Sequence, residues 1–103
     1  MSGYVLHPEA YTDLDDIWEF IAEDSMDAAD RVREDIYRTI GNLVPFPHQG
    51  HRRADLTSRP LRFVNVRDYL IAYAPNESPL LVIAALHGRR NPRTMAAILR
   101  GRQ

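Results

Sequence analysis

The chain contains neither cysteine nor lysine. Without cysteine there can be no disulfide framework, no thiolate zinc site and no cysteine nucleophile, and the expected compartment is cytoplasmic. Without lysine, all 13 cationic side chains are arginine, the residue suited to bidentate contact with phosphate or carboxylate. Long apolar runs are missing as well. The longest, Leu80 to Leu86, falls far short of the about 20 residues that span a bilayer, and the first residues lack a basic segment followed by an apolar one. Neither membrane insertion nor secretion is expected. Phosphate-cradling glycine loops, the G-x-S-x-G elbow and the His-Glu-x-x-His helix are also absent, which leaves nucleotide hydrolysis, acyl transfer and zinc proteolysis without support. No cofactor is expected.

What is present suits one globular domain over residues 1–103, with 45% hydrophobic and 26% charged residues. The net charge of −1 conceals a segregation. Residues 1–45 hold 11 acidic and 3 basic side chains, whereas residues 46–103 hold 3 acidic and 10 basic. A surface with one sign of charge steers partners of the other sign, so the second half is expected to meet an anionic macromolecule.

Tyr4-Val5-Leu6 predicts a short strand stopped by Pro8, a residue favoured at the first position of a helix. Ala10, Leu14, Ile17 and Ile21 then mark one helical face, with Glu9, Asp13, Asp16 and Glu19 on others. Ser25 is a candidate N-cap for a second helix, whose stripe is Ala29, Val32, Ile36, Ile40 and Leu43. Asp27 with Arg31 and Glu34 with Arg38 are expected as i,i+4 pairs on its surface. Pro45 and Pro47 end it, and residues 47–60 read as a long basic loop. Leu61 to Val66 and Tyr69 to Ala74 predict a tight hairpin turning at Arg67-Asp68, with Val66 opposite Tyr69, Val64 opposite Ile71 and Arg62 opposite Tyr73. Leu80 to Leu86 predicts a central strand covered on both faces. Met95, Ile98 and Leu99 suggest a short final helix. The fold class is therefore α+β in the order β-α-α-β-β-β(-α), a helical hairpin packed on an antiparallel sheet.

That order brings Arg62, Tyr73, His87, Arg89 and Arg90 onto or just beyond one sheet, where they are expected to converge on a shared patch. Arginines hold phosphates, histidine exchanges protons near neutral pH, and tyrosine stacks or donates a hydrogen bond. Such a set suffices for metal-free RNA cleavage, with a base on the 2′-OH, arginines on the charged phosphorane and an acid on the leaving oxygen. The competing reading makes His87 a strand-end cap and the tyrosines core residues. His48, His51, Arg52 and Arg53 form a loop cluster that lacks a third zinc ligand, so no metal site is expected.

The whole pattern resembles the ParE/RelE superfamily of type II toxin–antitoxin toxins. The residues that carry the resemblance are Tyr4-Val5-Leu6-His7-Pro8-Glu9-Ala10, Asp13-Leu14 with Ile17, the Pro47 to Gly50 loop, Arg62 before Tyr69-Leu70-Ile71-Ala72-Tyr73, and His87-Gly88-Arg89-Arg90. It implies the RelE/ParE-like fold and a neutralising antitoxin partner in a hetero-oligomer; the charge split, with the edge strand and hairpin groove that such a fold exposes, leads to the expectation that acidic antitoxin tails pair with Arg52, Arg53, Arg62, Arg89 and Arg90 while an amphipathic helix lies in an apolar groove. It also implies one of two targets. RelE-like members cut mRNA on the ribosome, and Arg62, His87 and Arg89 match positions those nucleases use in catalysis. ParE-like members poison DNA gyrase without chemistry of their own. The absence of lysine and the acidic first helices, which would repel ribosomal RNA, favour the ParE-like expectation. A non-toxic binding module is the third reading.

Overall fold

The computed structural model describes residues 3–103. Its elements are β1 (Tyr4–Leu6), α1 (Pro8–Ala22), α2 (Met26–Leu43), a 3-10 turn (Pro47–Gln49), β2 (Arg62–Val66), β3 (Tyr69–Ala74), β4 (Leu80–His87) and α3 (Pro92–Gly101). The expected α+β order is observed.

Each helix starts where local chemistry dictates. Pro8 occupies the first helical turn of α1, and the His7 ring accepts from the Glu9 N–H. Ser25 Oγ accepts from the Ala28 N–H and Asn91 Oδ1 from the Arg93 N–H, so the otherwise orphaned first-turn donors find partners. The α2 stripe is buried as its period requires, with Ala29, Val32, Ile36, Ile40 and Leu43 all inside. Its surface pairs differ from expectation. The ion pairs are Asp30 with Arg33 and Asp35 with Arg38, both at i,i+3, because Asp30 also accepts from the Trp18 indole and Asp35 also holds Arg67.

The sheet runs β1-β4-β3-β2. The β2–β3 hairpin has the predicted register, with Arg62 opposite Tyr73 and Val66 opposite Tyr69. One correction is needed: the sheet is mixed, since β1 runs parallel to β4. The helical hairpin between β1 and the later strands returns the chain so that β1 and β4 point the same way, as a crossover connection does. The helical hairpin covers one face through Leu14, Val32, Ile36 and Ile40 against Val66, Ile71 and Val82. Met95 and Leu99 of α3 cover the other, against Phe63, Leu70, Ile83 and Leu86. Strand β4 is thereby buried on both faces, as its unbroken apolar run predicts.

The central strand carries one irregularity. Ala72 faces Ala84 while Tyr73 faces Val82, so Ile83 is an extra residue, a β-bulge that leaves ladder groups unpaired. β1 cannot help, because it ends at Leu6 opposite Val82. Two side chains fill the gap. Asp13 Oδ2 accepts from the Ala85 N–H at 3.0 Å, and Arg102 donates to the Ile83 carbonyl at 3.1 Å. The two also pair with each other through both carboxylate oxygens. Among the described residues no helix is long and apolar enough to cross a membrane.

Candidate functional site

The basic half of the chain spends several arginines on its own architecture. Arg53 forms a two-point pair with Asp55, which raises the arginine and holds the carboxyl below its ordinary range. Arg59 donates to the carbonyls of Leu99 and Arg102, capping the negative end of α3. Arg67 binds Asp35 of α2. Arg102, 8% exposed, is held by Asp13. None of the last three pairings was expected, although Asp13 gave a signal. Periodicity assigns it to another face of α1 than the apolar stripe, yet it lies three residues after Ala10 and four before Ile17, at that stripe's edge, and its side chain is only 14% exposed, where a carboxylate requires a partner.

Arg93 and Arg100 are exposed on α3, and the other four arginines of this half lie at two places. At the first, Arg62, Arg52 and His48 line a cavity of about 140 Å³ with Leu61, Pro75 and Asn76. Arg62 is half-buried. One of its nitrogens donates to the Gly50 carbonyl at 2.8 Å, and among the described residues no carboxylate pairs with it. It neither pairs with a helix acid nor simply extends into water. His48 Nε2 lies 3.2 Å from Asn76 Oδ1, and Arg52 is exposed. A half-buried cation without a counter-charge makes this cavity receptive to an anion.

Tyr73 supports Arg62 without lining that cavity. It is 0% exposed; its hydroxyl donates to the Pro47 carbonyl at 2.7 Å and accepts from the Gly50 N–H at 2.9 Å. Burial pushes the phenol above its ordinary value, while the Gly50 bond and the Arg62 charge pull the other way. The ring therefore has no surface for a ligand. It pins the 47–50 turn, and through the Gly50 carbonyl it fixes Arg62. Gly50 must be glycine for this, since a Cβ there would stand 2.5 Å from Tyr73 Oη and 2.7 Å from the Phe63 carbonyl oxygen.

The second place is the end of β4. His87 is half-buried, its ring edge-on to Tyr69 at 5.4 Å. Its Nδ1 accepts from the Arg89 N–H and its carbonyl from the Arg90 N–H, so the ring folds the turn that carries both exposed arginines. Arg90 and His87 border a groove of about 310 Å³ whose other wall is α1, with Ile17, Phe20 and Asp16.

The two places do not coincide. His87 faces Tyr69, which faces Val66, four residues along β2 from Arg62. With about 3.3 Å per residue along a strand and 4.8 Å between strands, the Arg62 and His87 backbones stand roughly 16 Å apart. Among the described residues no group of three or more histidine and carboxylate side chains is placed to hold a metal.

The chain matches the family described as ParE toxin of type II toxin-antitoxin system, parDE, over residues 4–92. Comparison with curated proteins gave no match. The match spans the helical hairpin of α1 and α2, the whole sheet and both cationic sites, and with the observed fold it leads to the conclusion that this chain belongs to the ParE toxin family of type II toxin–antitoxin systems.

Proposed function

We propose that the protein arrests growth as a non-enzymatic poison of DNA gyrase, and that its antitoxin neutralises it by placing carboxylates on the two arginine sites. Membership of the family implies a cognate antitoxin; the gyrase target is the further step. The observation that carries it is the separation of Arg62 from His87. Cleavage of one phosphodiester needs the base, the acid and the phosphate-binding arginines within about 3 Å of the reacting atoms. Arg62, its guanidinium engaged by the Gly50 carbonyl, and His87, its ring against Tyr69, sit at opposite ends of the sheet and are not arranged around one phosphate. Further support comes from the helical hairpin, whose exposed Asp15, Asp16, Glu19 and Glu23 would repel ribosomal RNA.

The test is supercoiling by purified gyrase with the toxin in stoichiometric excess. Inhibition accompanied by cleaved DNA is expected. Undiminished supercoiling, together with cleaved messages in cells and loss of arrest in Arg62→Ala or His87→Ala, would replace this reading with ribosome-dependent RNA cleavage by Arg62, His87 and Arg89. For the antitoxin, the complex should weaken as salt rises, since the contacts invoked are between exposed charges. Growth unaffected by the toxin without its antitoxin would leave only a binding module.

A further inference from the structure

The cavity beside Arg62 has a charge, a size and a protonation site that together discriminate between anions. Arg62 and Arg52 bring two permanent positive charges to it, and His48 lines it with them. Among the described residues no acidic side chain lines it, and neither arginine forms an ion pair. The Gly50 carbonyl takes one N–H of Arg62, which leaves the rest of a five-donor fork to a guest. Glu77, which follows Asn76 in the adjoining turn, is exposed and does not line the cavity. A singly charged guest leaves one of the two arginines unanswered, whereas a dianion answers both.

Size narrows the choice further. A water takes about 30 Å³ of liquid, so a cavity of about 140 Å³ admits about four or five heavy atoms at that spacing. That is the phosphorus and oxygens of one phosphate, without a sugar or a base. The protonation site is His48. Its Nε2 lies 3.2 Å from Asn76 Oδ1, an atom that only accepts, so the ring hydrogen sits on Nε2 and Nδ1 is the position that gains a proton. No described residue hydrogen-bonds Nδ1. The neutral ring therefore has no donor to spare, and the protonated ring offers one beside the two arginines.

We propose that this cavity binds a phosphate dianion, free or as a monoester, with its oxygens held by Arg62 and Arg52 and, once protonated, by His48, and with any ester arm outside. The inference rests on the anion-receiving role given to this cavity above and names the anion. A phosphodiester, as in a nucleic-acid backbone, carries a single charge and continues on both sides of the phosphorus, so it suits the cavity less than a terminal phosphate does. Inorganic phosphate and the phosphorylated end of a nucleotide chain offer the same dianion. A dianion also binds more tightly as pH falls into the range where histidine takes up a proton, because Nδ1 then becomes a donor. Antitoxin carboxylates placed on the same two arginines would compete with it.

The test titrates the isotope-labelled full chain, without antitoxin or gyrase, at constant low ionic strength and about pH 7.5, where a phosphate monoester is mostly dianionic. Methyl phosphate should shift the amides of His48 to Arg52, Arg62 and Asn76, and should bind about tenfold more tightly than dimethyl phosphate or acetate. Arg62→Gln should lose about tenfold of that affinity, while Arg93→Gln, on the exposed side of α3, should lose none. Sulfate, dianionic throughout, should bind about threefold or more tightly near pH 6 than near pH 8, and equally at both in His48→Gln. A phosphorylated dinucleotide that binds more tightly than inorganic phosphate assigns the site to chain ends; the reverse assigns it to free phosphate. Equal affinities for methyl phosphate, dimethyl phosphate and acetate overturn the proposal and leave the carboxylate reading of the antitoxin standing. A response confined to Arg89 and Arg90, or none at tens of millimolar, overturns it equally. Sulfate affinity independent of pH in the parent overturns the part given to His48.

Discussion

Arg62 belongs to the sheet and Arg102, at the end of α3, reaches the same sheet with its side chain, and the surroundings give them different work. Arg102, 8% exposed, meets Asp13 through both carboxylate oxygens and also a strand carbonyl. Its charge is fully answered, and the pair closes a bulge in the central strand. Arg62 is half-buried against one carbonyl and no carboxylate. Burying a charge is tolerated when it is paired and costly when it is not. The first arginine is therefore architecture, and the second is the one we propose receives an anion from outside. Substitutions at these residues and their supports sharpen or break that contrast.

The largest effect is expected at the answered charge. Asp13→Ala leaves Arg102 buried without its counter-charge and the Ala85 N–H without an acceptor, which should cost about 3 to 5 kcal/mol in denaturant unfolding. Adding Arg102→Leu to Asp13→Ala should restore part of the loss, because the uncompensated charge is gone. A double variant no better than the single one would show that the ion pair is not what Asp13 contributes.

Next comes the support behind Arg62. Gly50→Ala forces a methyl group against Tyr73 Oη and the Phe63 carbonyl and should cost about 1 to 3 kcal/mol. Tyr73→Phe leaves the Gly50 N–H and the Pro47 carbonyl unpaired at a cost of about 1 to 3 kcal/mol. The phenol also sets a pH limit. Burial raises its folded pKa above the ordinary 10.0, so its contribution is complete below pH 10 and declines as pH rises toward the folded value. A pH scan of Tm should show a shallower alkaline decline in Tyr73→Phe, although Tyr37 and Tyr69, also raised by burial, keep some of it.

At the unanswered charge, stability and binding should separate. Arg62→Ala loses one hydrogen bond to a carbonyl and should cost about 1 kcal/mol or less. Antitoxin affinity should fall by about tenfold or more, because a charge-assisted contact is lost. Calorimetry of the complex beside unfolding of the free toxin measures both. Affinity unchanged in Arg62→Ala and Arg52→Ala would remove the anion-receiving role from this cavity.

The contrast also explains which parts of the molecule were legible in the sequence. Periodicity located all three helices, because Ala29, Val32, Ile36, Ile40 and Leu43 could be buried together in only one conformation. The hairpin register followed from a two-residue turn at Arg67-Asp68. What escaped depends on contacts between distant segments. The parallel pairing of β1 with β4 is set by a crossover that local pattern does not encode. The Asp13–Arg102 pair joins positions 89 residues apart. Arg62 and His87 were expected to converge because both sit on strands, yet their register rows place them at opposite ends. Tyr73 was a candidate for stacking, and the packing that buried it also made it the prop for Arg62.

Arg67 supplies a third case, a charge that is answered but exposed, and the smallest expected effect. It opens the hairpin turn with φ of 55°, a left-handed conformation that costs a non-glycine residue about 1 kcal/mol or more. Against that strain stands its pair with Asp35. Hydrogen bonding to Arg67, ahead of its charge and of Arg38, lowers the Asp35 pKa below the ordinary 3.8. A depressed folded pKa means the unfolded chain binds the proton more readily, so the contribution is present above pH 3.8 and is lost as pH falls through the folded value. Arg67→Gly removes strain and pair together. At neutral pH the two effects oppose, and Tm should change little. As pH drops through 3.8 and below, the pair fades in the parent while the strain persists, so the glycine variant should become the more stable of the two. Tm curves that stay parallel across that range would mean that the pair does not stabilise the hairpin, and that an exposed carboxylate is no answer to an arginine charge in this fold.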